Sequence, residues 1–144
     1  MPFDGEIRSG FVGLDDMLLD MVEFSFAGGS RWAQRAVEVA DSHCLIGAAQ
    51  YVARETGCES DRTIQYLSEA ITKWQRRHRL IPSQNCDIDN VVGFNDAKGR
   101  RFAEIVAVIR EARELAMVDE YVRRMERGIA PANVFLTAPA VSGG

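Results

Sequence analysis

Residues 101–127, RFAEIVAVIREARELAMVDEYVRRMER, decide the fold. Phe102, Ile105, Val106, Ile109 and Ala112 recur at three- and four-residue spacing, which puts them on one face of a helix. Leu115, Val118, Val122 and Met125 continue the stripe less cleanly. A seven-residue seam through Ile105, Val108, Ala112 and Leu115 next meets Asp119, so a sustained coiled coil is not expected. The helix must instead bury its stripe against other parts of the same chain.

Upstream stretches supply the partners. Residues 61–79 carry Ile64, Leu67, Ile71 and Trp74 on one face, widened by Tyr66 and Ala70, with Ser60 as cap. Arg76, Arg77 and Arg79 fall in the last turn, where bases suit the helix dipole. Residues 43–56 form a helix with Leu45, Ala48, Ala49, Val52 and Ala53 inward, Asp41-Ser42 as its cap and Gly57 as its stop. Residues 30–40 fit a short helix capped by Ser30, with Trp32, Ala33, Ala36, Val37 and Ala40 on its face. Residues 14–26 align Leu14, Met17, Leu18, Met21, Val22 and Phe26, with Asp15 and Asp16 in the first turn and Gly28-Gly29 beyond the end.

The connections have no period. Residues 80–93 contain Pro82, Ser83 and Asn85, with one helical turn expected at 89–92; residues 94–100 read as a turn by composition. Residues 1–13 form an arm with Gly5, Gly10 and Gly13, and residues 14–127 form the single domain. Residues 128–144 form an uncharged tail interrupted by Pro131, Pro139 and Gly143-Gly144. Helices then take more than half of the chain and no strand has a matching signal. The expected fold is all-α: a compact bundle of four to five helices with a long C-terminal helix and an irregular tail.

Composition agrees. With 144 residues, 47% hydrophobic content and a net charge of −4, the chain is one globular domain and not a disordered one. No apolar run reaches membrane-spanning length, and no signal peptide is expected at the N-terminus. Three cysteines argue against a disulfide framework and for a reducing, cytoplasmic location. The charge is uneven: acids dominate residues 1–26 and bases dominate residues 73–101. The expectation for both is the solvated face of a helix.

Three segments together resemble a family. Arg31-Trp32, the run His43-Cys44-Leu45-Ile46-Gly47-Ala48, and Gly93-Phe94-Asn95-Asp96-Ala97-Lys98-Gly99-Arg100 before an amphipathic helix are similar to an uncharacterised bacterial domain family. Its pattern is a Trp after the first helix, a Cys-x-x-Gly-Ala run, and a Trp-Asn-Asp-x-x-Gly-Arg-Thr turn before a Glu-containing helix. The likeness runs from Leu14 to Ala116. The family has no assigned activity, so the resemblance implies a fold and a bacterial or phage origin, and no chemistry. Phe94 replaces the Trp, a conservative change for packing. Arg101 replaces the Thr that would cap the helix and pair with Glu104, leaving Asn95 or Asp96 to cap it one turn earlier.

Four residues are candidates for chemistry. Cys44 stands at a helix start, where backbone amides favour the thiolate, the nucleophilic form. His43 precedes it, but neighbours on a helix point about 100° apart, which makes His43 a poor base for Cys44. Asn95 and Asp96, with His78, complete a Cys-His-Asn order that arises easily by chance. The plainer expectation is that Cys44 is a small buried apolar residue and that Asn95-Asp96 fixes a turn. Lys73, Arg76, Arg77, Arg79, Lys98, Arg100 and Arg101 could contact phosphate, but the acidic balance argues against a nucleic-acid partner and Trp74 belongs to the core stripe. No close Cys or His pair marks a metal, and no cofactor is implied.

The preferred reading is therefore a cytoplasmic protein-interaction module, regulatory or accessory, that binds a protein partner or itself. Its expected contacts are Val118, Val122 and Met125 on the outer face of the last helix, with Val134, Phe135 and Leu136 in the tail. The alternatives are a thiol-dependent or small-molecule enzyme centred on Cys44 and the Asn95-Asp96 turn, and a weak nucleic-acid binder through residues 73–101.

Overall fold

The first apolar stripe forms α1, Leu14–Ser25, which buries Leu18, Leu19 and Val22. The computed structural model describes residues 10–36, 38–82 and 85–128. Most of the expected arm, the expected tail, and with it Val134, Phe135 and Leu136, lie outside the described residues. The remaining helices are α2 (Leu45–Thr56), α3 (Asp61–Arg77), α4 (Asp87–Asp96) and α5 (Phe102–Glu126). The fold is the all-α bundle, with the long C-terminal helix at its centre. α5 packs against both α1 and α3, α4 lies on α3, and α2 bridges α1 and α4.

Each stripe turns inward. Leu19, Val22 and Phe26 meet Ile105, Val108, Ile109 and Ala112 of α5, together with Leu45, Leu67, Ile71 and Val91, all fully buried. Trp74 is buried as its spacing requires. α2 ends where Gly57 takes the left-handed conformation (φ 72°) and its N–H bonds back to Ala53 and Arg54. Asp119, which breaks the seven-residue seam, accepts a hydrogen bond from the Tyr66 hydroxyl at 2.9 Å.

Several expectations are corrected. Residues 30–40 are not a helix. A single 3₁₀ turn, Ala27–Gly29, follows α1, and a two-stranded hairpin follows it: β1 (Glu38–Val39) pairs antiparallel with β2 (Ser42–His43). Arg35 and Ala40 have positive φ, which no helix accommodates. The local backbone groups pair across to β2 instead: His43 N–H donates to the Arg31 carbonyl (2.8 Å) and Ala33 N–H to the His43 carbonyl (2.9 Å). Asp41-Ser42 thus belongs to the hairpin, and Cys44 caps α2.

The turn expected at 94–100 is shorter, because Phe94, Asn95 and Asp96 end α4. The single turn expected at 89–92 is the middle of that helix. It holds to α3 through buried Asn90, whose amide donates to the Ser68 hydroxyl (2.9 Å) and carbonyl (3.2 Å). Neither Asn95 nor Asp96 caps α5. Arg101 stands at that cap, and the Glu104 carboxylate accepts the Arg101 N–H at 2.9 Å, half of a capping box. Ser60 occupies the cap of α3 without a side-chain hydrogen bond.

The acidic front is not simply solvated. Asp15 meets Arg62 (2.8 Å) and Arg123 (3.7 Å), Asp20 meets Arg113 (3.1 Å) and Glu23 meets Arg110 (3.0 Å). These bases come from α3 and α5, outside the basic stretch 73–101. The acid on α1 orients it against its neighbours, each exposed pair contributing up to about 1 kcal/mol.

Candidate functional site

Asn95 organises one end of the bundle. Its side chain is fully buried and makes four hydrogen bonds. Oδ1 accepts from the Trp32 indole N–H (2.7 Å) and from the Leu45 N–H at the start of α2 (3.1 Å). Nδ2 donates to the Ala33 carbonyl (3.0 Å) and to Asp96 Oδ1 (2.9 Å). Asp96 Oδ1 also accepts the Arg35 N–H at 2.7 Å, and the Gln34 amide donates to the carbonyls of Asn95 (2.9 Å) and Ala97 (3.1 Å). The loop before the hairpin is thereby fastened to the end of α4. Beside it, Cys44 Sγ accepts the Gly47 N–H at 3.3 Å, and the thiol is buried.

Arg100 closes the same end. Its Nε donates to the Phe94 carbonyl (2.8 Å) and its guanidinium pairs with Glu104 (3.1 Å). The guanidinium lies 3.8 Å from the Phe94 ring centre and 4.8 Å from that of Trp74, a cation–π arrangement. Burial pushes the Glu104 carboxyl up, but the Arg101 amide and the Arg100 guanidinium outweigh it and hold it below the usual glutamate range.

The hairpin so held forms one wall of a cleft of about 970 Å³. The other walls are α1 (Met21, Phe24), α2 (Tyr51, Val52) and α5 (Phe102, Val106). His43 lines it from β2, Asp41 from the hairpin turn and Arg31 from the loop before the hairpin, and Asp20, Glu23, Glu55 and Arg110 add charge. His43 is only 6% exposed, its ring lies 5.0 Å from that of Tyr51, and its Nδ1 has no hydrogen-bond partner among the described residues. That is uncommon for a buried polar atom. Cys44, Asn95 and Asp96 do not line the cleft.

Residues 23–115 match DUF6197, a family of unknown function. The chain belongs to this family. No curated protein and no solved structure matches it. In this DUF6197 chain the matched span holds the whole Asn95 cluster and every cleft residue except Asp20 and Met21. The outer face of α5 at Val118, Val122 and Met125 lies beyond it.

The residues singled out in the sequence fall into separate places in the DUF6197 fold. Cys44 and Asn95 are near neighbours through Leu45, yet all polar atoms of the Asn95 amide are engaged. His78 sits at the end of α3, stacked on Trp74 at 3.9 Å, and Nδ1 donates to the Trp74 carbonyl at 2.8 Å. Among the bases, Lys73 and Arg77 both meet Glu111 (3.7 and 2.6 Å), and Arg101 joins Arg100 on Glu104 (3.6 Å). Arg76, Arg79 and Lys98 make no ion pair among the described residues. Val118, Val122 and Met125 are 57%, 46% and 61% exposed.

Among the described residues there is no cluster of His, Cys, Asp or Glu able to hold a metal, and no helix long and apolar enough to cross a membrane. The cleft itself has no local signature. Its residues come from separated elements, and only His43 and Arg31 belong to the family-like segments.

Proposed function

We propose that this protein is an interaction module, regulatory or accessory, that pairs with a second copy of itself through the outer face of α5. One observation carries the reading: polarity is inverted over the last turns of that helix. The side chains turned toward the body are charged. Glu120 (17% exposed) accepts from Arg123 (2.9 Å) and Arg124 (2.8 Å), and Arg124 also donates to the Val12 carbonyl at 2.7 Å. Three of the side chains turned to solvent, Val118, Val122 and Met125, are apolar and recur at four- and three-residue spacing, beside exposed Asp119 and Glu126. A surface helix normally shows the opposite arrangement. Two copies related by a twofold axis cover the same stripe on each other, the commonest way for a patch to be buried.

Light scattering across a concentration series tests this. A dimer is expected, and Val122→Glu or Met125→Glu is expected to return it to monomer with the helical signal unchanged. A protein that stays monomeric at the highest concentration, and that loses nothing on truncation after Gly128, overturns the reading.

A further inference from the structure

We propose that the cleft between α1, α2, α5 and the hairpin binds a small organic cation, an amine or guanidine carried on an aromatic body. Charge comes first. The cleft holds four carboxylates and two guanidinium groups. Glu23 is satisfied by Arg110 at 3.0 Å and Asp20 by Arg113 at 3.1 Å. Asp41 and Glu55 make no ion pair among the described residues, and both are exposed at the rim. Among the described residues that line the cleft only Arg31 opposes them, so their unpaired balance is negative and favours cations.

Shape and surface come second. A volume of about 970 Å³ is at the upper end for small-ligand sites and admits a bicyclic ring with its side arm. Phe24, Tyr51 and Phe102 give the cleft aromatic surfaces, which attract both a flat ring and a cation. The third observation is independent of both. His43 lines this cleft while 6% exposed, and its buried Nδ1 has no partner among the described residues. Its ring stands 5.0 Å from that of Tyr51 in the cleft wall, so a ligand seated against Tyr51 lies beside it. The Asn95 cluster fixes the hairpin through Ala33 and Leu45, on either side of His43, and so holds this wall in place before a ligand arrives.

The test uses three probes that share one ring system: tryptamine, which is cationic, tryptophol, which is neutral, and indole-3-acetate, which is anionic. Each is titrated calorimetrically into the full chain. Tryptamine is expected to bind saturably, tryptophol more weakly, and indole-3-acetate not at all. On tryptamine addition the ring proton resonances of His43 are expected to shift while those of His78 stay in place. Asp41→Asn with Glu55→Gln is expected to weaken tryptamine about fivefold or more, as the loss of two exposed charge contacts implies. Glu114→Gln, on the exposed side of α5, is the control and leaves the affinity unchanged. No binding of tryptamine, equal binding of all three probes, preference for indole-3-acetate, a static His43, or an equal loss in Glu114→Gln each overturns the proposal.

Discussion

The side-chain oxygen of Asn95 accepts the backbone N–H of Leu45 at 3.1 Å, so the last turn of one helix caps the first turn of another that lies fifty residues earlier. The same oxygen holds the Trp32 indole, and the amide nitrogen holds the Ala33 carbonyl. Asn95→Ala therefore strands the buried Leu45 N–H, the part-buried Trp32 indole N–H and one carbonyl. With each unsatisfied buried group costing about 1–3 kcal/mol, a loss of roughly 3–5 kcal/mol is expected. Asn95→Asp keeps the acceptor for Trp32 and Leu45 but loses both donors and puts a second carboxylate beside Asp96. It is expected to fall between Asn95→Ala and wild type. Urea unfolding monitored by tryptophan fluorescence checks both, and a loss below about 1 kcal/mol for Asn95→Ala refutes the role assigned to the cluster.

The elements legible in the sequence were those whose stabilisation is local or periodic. The stripes through Ile105 and Ile109, through Ile64 and Trp74, and through Leu18 and Val22 each specified a helix, because a period near 3.6 leaves one apolar face that must be buried. Residues 30–40 imitated that period with Trp32, Ala36 and Ala40, but their backbone is held by partners at His43 and Asn95 that no local window contains. The Asn-Asp pair was visible as a polar marker. Its task was not, since a side chain that caps a neighbouring helix in space resembles one that caps the next helix in sequence. The cleft was illegible for the same reason: Phe24, Tyr51 and Phe102 meet only after the bundle closes.

Two glycines make opposite predictions. Gly29 has φ 108° and its backbone approaches Phe102 so closely that an added Cβ would lie 2.9 Å from Cδ2 of the ring. Phe102 is itself held edge-on by Phe26 (5.7 Å) and against Trp32 (5.8 Å), so it has little freedom to yield. Gly29→Ala is expected to destabilise by about 1–3 kcal/mol, from the backbone region and the contact together. Gly93 lies inside α4 with nothing within 4 Å of the position a Cβ would take. Gly93→Ala is expected to stabilise by about 0.5–1 kcal/mol, because alanine loses less backbone entropy in a helix. Thermal melts of the two variants should move in opposite directions.

Acid should weaken the junction between α5 and the start of α1. The hydrogen bond from Arg124, joined by that from Arg123, holds the Glu120 carboxyl below the ordinary glutamate value of 4.5 against the opposing effect of burial. A group whose folded pKa is depressed contributes stability above its unfolded pKa and loses it as pH falls through the folded one. Glu104 acts in the same direction. Asp16 acts in the opposite one, because burial raises its carboxyl despite the N–H groups of Val12 (3.0 Å) and Gly13 (2.7 Å). The expected result is a fall in unfolding free energy as pH drops from neutrality through the glutamate range. Glu120→Gln should be less stable at neutral pH and show a shallower fall, read from denaturant midpoints at each pH. An unchanged slope in that variant removes Glu120 from the account.

The three cysteines rank themselves for alkylation. Cys86 is exposed at the cap of α4, Cys58 is half-buried after α2, and Cys44 is 4% exposed with its sulfur facing the Gly47 N–H. Reaction needs both thiolate character and access, and burial withholds the second. Iodoacetamide is expected to label Cys86 first, Cys58 next and Cys44 slowly in the folded protein, with all three equal in urea, as peptide mass spectrometry would read. Rapid labelling of Cys44 near neutral pH would restore the thiol-enzyme alternative. Cys44→Ser should retain the cap, since a hydroxyl also accepts the Gly47 N–H, whereas Cys44→Ala should cost about 1 kcal/mol for the lost cap. A Cys44→Ser protein that keeps its stability and its ligand affinity then assigns the sulfur a part in folding and none in chemistry.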